Sequence, residues 1–207
     1  MSAAAAPRPE RLRRDLQLLS GLVPVGSRVL DLGCGHGSLL RHLRDRRRCQ
    51  IQGVEIDDES VLTAIQRGVP VIELDIDFEL NNFDDASYDV VVLSRTLQAI
   101  RRPKEVLLEM ARIAPTVIVS MPNVAYWRNR WRLALGAAPV SKDLPYAWYD
   151  SPNVHFGSLT DLERLFATLD LPVRRCVPLN TAGLKSSFPR GARNWLASAA
   201  LYELDGR

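Results

Sequence analysis

Val29-Leu30-Asp31-Leu32-Gly33-Cys34-Gly35-His36-Gly37 sets an apolar stretch directly against three glycines, with an acid at its centre. Arg28 to Leu32 reads as a short buried parallel strand and Ser38 to Leu43 as the start of a helix, leaving the glycines in the turn between them. Without Cβ atoms such a turn can take positive φ and let its backbone come close to a ligand. The next apolar run, Ile51-Gln52-Gly53-Val54-Glu55, ends on a carboxylate. A strand-end acid at that spacing accepts hydrogen bonds from ribose hydroxyls. The expected ligand is a nucleoside.

A glycine turn followed by an acid also describes dinucleotide-binding folds. Asp31 helps separate the two. A pyrophosphate is anionic and favours the positive end of a helix, which a carboxylate two residues before the first glycine opposes. S-adenosylmethionine presents an ammonium and a sulfonium instead, and an aspartate attracts both. Position 38 is Ser where G-x-G-x-x-G would place its third glycine. The pattern therefore points to S-adenosylmethionine, or S-adenosylhomocysteine, over NAD. Asp75, in Glu73-Leu74-Asp75-Ile76-Asp77, follows the third expected strand, where it can accept from the exocyclic amine of adenine; the alternative is an acid that only caps a turn.

From Arg28 to Ser120 short apolar runs alternate with helical segments, as in a parallel sheet with crossover helices, so the fold class is α/β. A helix is capped by Asp57 or Asp58 and ends near Arg67-Gly68; strands are expected at Val69–Leu74, Tyr88–Leu93 and Thr116–Ser120. Val90 to Leu93 is apolar on both faces and marks a central strand. Pro103 opens a helix that reaches Ile113. Later come a helix capped at Ser158 or Thr160 and strands near Val173–Val177 and Trp195–Tyr202, the last antiparallel. Residues 1–11 read as a flexible arm and 12–207 as a single domain. The Trp-, Tyr-, Arg- and Pro-rich stretch 121–157 is long for a connection and reads as a lid or partner-binding insertion.

The chain has 207 residues, with 46% hydrophobic and 25% charged residues, enough for one substantial core. A net charge of +3 lacks the strong single-sign field of a dedicated nucleic-acid binder. Three cysteines, Cys34, Cys49 and Cys176, have no paired spacing, which suggests neither disulfides nor zinc and fits a reducing cytoplasm. No stretch approaches a signal peptide or membrane span.

Ser94-Arg95-Thr96-Leu97-Gln98 ends the fourth strand, at the carboxyl edge where open α/β sheets bind ligands. The chain has no Asn-Pro-Pro-Tyr segment for base amino-methylation and no Pro-Cys nucleophile. Methyl transfer needs mainly proximity and in-line geometry, so the missing base leaves activity open. His155 is a candidate general base and Tyr149 a candidate group near an acceptor; the alternative for His155 is a hydrogen-bonded structural residue. His36 and His42 rank below it. Trp127-Arg128-Asn129-Arg130-Trp131-Arg132 suits stacking on RNA bases or a protein interface, against an alternative in which the tryptophans pack inward and the arginines are solvated. The Arg44 to Arg48 cluster reads as a solvated helix end.

The chain resembles the methionine biosynthesis MetW family over Leu12 to Arg175. The widespread part of the resemblance is Ser27-Arg28-Val29-Leu30-Asp31-Leu32-Gly33-Cys34-Gly35 and Gly53-Val54-Glu55-Ile56-Asp57. More specific are Leu93-Ser94-Arg95-Thr96-Leu97-Gln98-Ala99, Ser120-Met121-Pro122-Asn123 and Leu144-Pro145-Tyr146-Ala147-Trp148-Tyr149-Asp150-Ser151-Pro152-Asn153-Val154-His155. The resemblance implies a Rossmann-like class I methyltransferase fold and a role in methionine formation as partner or regulator of the homoserine O-acyltransferase MetX. It implies cofactor contacts at Asp31, Gly33, Gly35, Gly37, Glu55, Asp75 and Ser94. His36 stands where an acid is usual in the family, and the stretch from Pro178 onward shows no clear match.

Overall fold

The computed structural model describes residues 12–206; the expected arm at 1–11 lies outside them. In chain order the elements are α1 (Arg14–Ser20), β1 (Arg28–Leu32), α2 (Ser38–Arg47), β2 (Gln50–Glu55), α3 (Asp58–Gln66), β3 (Val71–Glu73), β4 (Val90–Ser94), α4 (Pro103–Ile113), β5 (Thr116–Pro122), α5 (Trp127–Ala134), α6 (Leu159–Thr168), β6 (Val173–Leu179), α7 (Arg193–Leu196) and β7 (Ala199–Asp205). They form a seven-stranded sheet of order β3-β2-β1-β4-β5-β7-β6. β1 to β5 are parallel, and β7 runs antiparallel between β5 and β6. This is the mostly parallel α/β sheet with an antiparallel C-terminal side that the sequence pattern predicts.

Alternation along β4 explains why its whole apolar run is hidden. Val91 and Leu93 point into one core with α4 and α6, while Val90 and Val92 point into the other with α2. β1 does the same: Leu30 and Leu32 join the first core and Val29 the second. Strand order reverses between β1 and β4, so a crevice opens beyond their carboxyl ends, the usual ligand position in open α/β sheets.

Local chemistry fixes several boundaries. Asp57 caps α3 by accepting from the Ser60 N–H at 2.9 Å. Gly68, at φ +72°, ends it, and the Val69 N–H turns back to the Ala64 carbonyl, so β3 starts two residues later than the apolar run suggested. Ser158 and Asp161 form a reciprocal capping box on α6. Asp77 accepts from the N–H groups of Arg101 and Arg102 at 3.1 and 2.8 Å, securing the approach to α4.

The fourth strand starts at Val90 because Asp89 turns to pair with Arg28 and the Tyr88 N–H goes to the Ile113 carbonyl. Trp195 and Leu196 fall in the short α7 rather than in the final strand, which begins at Ala199 and runs to Asp205. The reason is Asn123: its side-chain amide donates to the Asn194 and Ala197 carbonyls, tying down a turn where the sequence pattern predicts an extended chain. Among the described residues no helix is long and apolar enough to cross a membrane.

Phe166 is fully buried, with its ring edge-on to Tyr202 at 5.3 Å between centroids. Phe166→Ala should lower unfolding free energy by about 3–5 kcal/mol in urea denaturation, and a loss below about 1 kcal/mol would mean that this core is not packed as described.

Candidate functional site

A cavity of about 300 Å³ lies over the carboxyl ends of β1 and β4. Asp31, Gly33, Gly35 and Ser94 line it, with Leu12, Arg13 and Leu16 from the α1 region, whereas Gly37 and Glu55 stand outside the lining. The turn is held in a conformation that side chains rarely tolerate. Gly33 has φ +70°, and a Cβ there would lie 2.8 Å from Thr96 Oγ1. Gly37 has φ +71°, and a Cβ there would lie 2.9 Å from Val69 Cγ2.

Asp31 is 3% exposed, and its Oδ1 is a buried oxygen with no hydrogen-bond partner. Burial pushes its pKa up to about 8, the nearby Glu55 charge pushes the same way, and Arg13 opposes both. A carboxylate so placed favours a cationic donor, and a ligand ammonium supplies both the charge and the N–H groups.

Glu55 has a role in the protein itself. Its Oε2 accepts from the Gly35 N–H at 2.8 Å, and its Oε1 accepts from the N–H groups of Ile56 and Asp57 at 2.9 and 3.2 Å. The acid expected to grip a sugar therefore also holds the glycine turn against β2. Cys34 packs against β2: a Cβ on Gly53 would sit 2.6 Å from the Cys34 Sγ, and burial, with the Asp31 and Glu55 charges, pushes this thiol's pKa up.

Of the other expected residues, Ser94 lines the cavity and its Oγ lies 3.2 Å from that of Ser120. Asp75 does not line the cavity; its Oδ1 accepts from the Asp77 N–H at 2.9 Å, forming a tight turn. His36 lies at the cavity, whereas His42 lines a neighbouring basic concavity with Arg41, Arg46 and Arg67. Burial and the charges of Arg46 and Arg47 lower the His42 pKa. His155 and Tyr149 are exposed and stand apart from the cavity; His155 borders a separate apolar recess with Leu97, Met121 and Phe156. Among the described residues no group of three His, Cys, Asp or Glu is placed to hold a metal.

Arg13, Asp15, Arg95 and Asp143 form an ion chain that sequence reading missed. Arg95 reaches Asp15 at 3.0 Å and Asp143 at 2.9 Å, and Arg13 reaches Asp15 at 3.2 Å. Asp15 sits in an otherwise unremarkable first helix and Asp143 in a loop, so no periodicity or motif connects them.

The 121–157 stretch presents aromatic side chains outward. Trp131 is 59% exposed and Trp148 79% exposed, joined by Tyr149 and Phe156. The inward-packing alternative thus fails for Trp131, although Trp127 is half-buried. The guanidinium of Arg128 covers the Trp127 ring at 5.2 Å and that of Arg130 covers Trp195 at 4.8 Å, which occupies ring faces that a nucleic-acid base would need.

With this geometry in place, the family model described as methionine biosynthesis protein MetW matches residues 13–204. That match passes Pro178 and takes in the C-terminal strands, which corrects the shorter span read from sequence. The bifunctional methionine biosynthesis protein MetXA/MetW of Rhodopirellula baltica is 35% identical over 82% of the chain, which spans 29% of that relative's length. A ubiquinone biosynthesis O-methyltransferase of Photorhabdus laumondii is 26% identical over 69% of the chain and 61% of its own length. Among solved structures, a S-adenosylmethionine-dependent methyltransferase of Thermotoga maritima, described as a possible histamine N-methyltransferase, superposes with a TM-score of 0.69 at 19% identity, covering 94% of this chain and 88% of that one. At that identity the likeness shows the fold.

Asp31 carries a pH signature. Between its ordinary 3.8 and about 8, the folded protein keeps a proton that the unfolded chain has released, so Asp31 makes stability fall as pH rises through this window. Asp31→Asn should remove that fall, and the gain in melting temperature over wild type should widen from acid toward pH 8. An equal gain at every pH would disprove the assignment.

Proposed function

The chain belongs to the MetW family, and from that premise we propose that it binds S-adenosylmethionine or S-adenosylhomocysteine in the cleft beyond β1 and β4 and acts beside the homoserine O-acyltransferase MetX as its partner or regulator. The unpartnered buried Oδ1 of Asp31 carries the ligand reading. It suits the ligand's α-ammonium; the glycine turn leaves room for the amino-acid tail, and Glu55, already fixed by three backbone N–H groups, is pre-positioned for ribose hydroxyls. Ser94 forms a wall of the cleft, whereas Asp75, turned toward the Asp77 N–H and outside the lining, gives the adenine contact no support. A solved Synechocystis magnesium protoporphyrin IX methyltransferase with bound S-adenosylhomocysteine shares the fold, with a TM-score of 0.62 at 16% identity over 94% of this chain and 80% of that one.

The partner reading is supported by the single-chain MetXA/MetW relative, in which the two functions are joined, and by the outward aromatic side chains at 131–156. When bound, S-adenosylmethionine supplies an electrophilic methyl group, but a regulator needs only the pocket. His155 and Tyr149, the groups considered for a small-molecule methyltransferase, stand outside the cavity lining, and this favours binding over transfer.

Calorimetry with S-adenosylhomocysteine should show binding that weakens about 10–100-fold in Asp31→Ala, the loss expected for one charged hydrogen-bonded contact. Unchanged affinity would refute the ligand site. Co-purification with MetX and an acyltransferase assay with and without this chain test the partnership: Trp148→Asp should weaken association by about tenfold or more if this residue anchors the interface. The absence of both association and any change in acyltransferase activity would defeat it.

A further inference from the structure

Arg95 occupies an unusual place. Its φ of +58° lies in the left-handed region that side chains seldom adopt, and it follows Ser94 at the wall of the cleft. The conformation is held by its own N–H, which donates to the Ser120 Oγ at 3.0 Å and the Ser120 carbonyl at 3.1 Å. The Arg95 side chain is 23% exposed, between the carboxylates of Asp15 and Asp143, which are 5% and 7% exposed. One guanidinium thus joins α1 to the loop that precedes the exposed aromatics.

The same corner is tied to that loop twice more. The Arg95 carbonyl accepts from the Gln98 side-chain amide at 2.6 Å, and the Gln98 carbonyl accepts from the N–H groups of Val154 and His155 at 2.9 and 3.0 Å. On the cleft side, Arg13 and Arg95 share one oxygen, Asp15 Oδ2, at 3.2 and 3.0 Å. Arg13 lines the cavity together with Asp31. A ligand ammonium placed at Asp31 repels Arg13, while a ligand carboxylate attracts it. Either change alters the competition at Asp15 Oδ2 and so the grip on Arg95.

We propose that Arg95 is a positioning residue through which occupancy of the nucleoside cleft sets the arrangement of residues 141–157, by way of the ion chain Arg13, Asp15, Arg95 and Asp143. This rests on the ligand reading above and adds to it a route from cleft to docking surface. No residue of 141–157 lines the cavity, so a response there is transmitted rather than caused by ligand contact. Arg13 is exposed, but Asp15 and Asp143 are buried, so removing one partner of Arg95 leaves another charge uncompensated.

Amide hydrogen exchange on the full chain, with and without saturating S-adenosylhomocysteine, tests it. In wild type the ligand should slow exchange across 141–157 by about fivefold or more. In Asp143→Asn affinity should stay within about threefold of wild type, because the residue does not line the cleft, while the ligand-dependent slowing disappears. Slowing that persists in Asp143→Asn overturns the proposal, as does wild type that binds the ligand without any slowing there. Wild type that does not bind the ligand overturns the ligand reading and this proposal with it. Should Asp143→Asn fail to fold, Arg95→Lys decides by the same readout: a point charge without the planar fork cannot bridge both carboxylates, and the slowing should fall by half or more.

Discussion

A carboxylate buried in the middle of a sheet with one oxygen unmatched is the constraint around which this molecule is arranged. Asp31 lies opposite Gly53 on one neighbouring strand and Val92 on the other, and neither provides a donor for its side chain. With only 3% of its surface exposed, the group raises its proton affinity and the protein tolerates it. Everything near it is arranged to keep that state available. Gly53 leaves space for Cys34, Cys34 supports the turn, and Glu55 clamps the turn by three backbone donors. The site is thus preorganised at the expense of local stability, a frequent compromise in binding sites.

The two halves of the carboxyl edge differ in character. The β1 side is rigid, built on a strand, a constrained turn and the start of α2. The β4 side leads into a long stretch with neither helix nor strand between α5 and α6, held by a few polar ties at Arg95 and Gln98. Rigid scaffold and adaptable loop are the usual division of labour between holding a ligand and meeting a partner. In this chain the change from strand to irregular backbone falls within one residue pair, Ser94 and Arg95.

How much of this was legible depended on distance along the chain. Val90 to Leu93 could be read as a central strand because an uninterrupted apolar run between turn signals has few other solutions. The glycine turn was legible because glycine has a conformational meaning that composition cannot disguise. Glu55 was half legible: its place at a strand end was evident, but not that its oxygens are already engaged by backbone. Trp195 was misread, since an apolar pair near a strand looks like its beginning, and the opposing vote came from Asn123, far upstream. The ion chain was invisible for the same reason. Charged residues distant in sequence carry no periodicity, and only the folded chain brings Asp15, Arg95 and Asp143 together.

The placement of β7 has a consequence for how the chain comes into being. β5 finds its second neighbour only in the last strand, and β6 pairs with nothing else in the sheet. Until β7 pairs along Thr116 to Pro122, that flank of β5 is an open strand edge. During that interval the unfinished flank is a template for any extended chain nearby. Insertion of an antiparallel strand between β5 and β6 is therefore also the step that removes the hazard of misassembly.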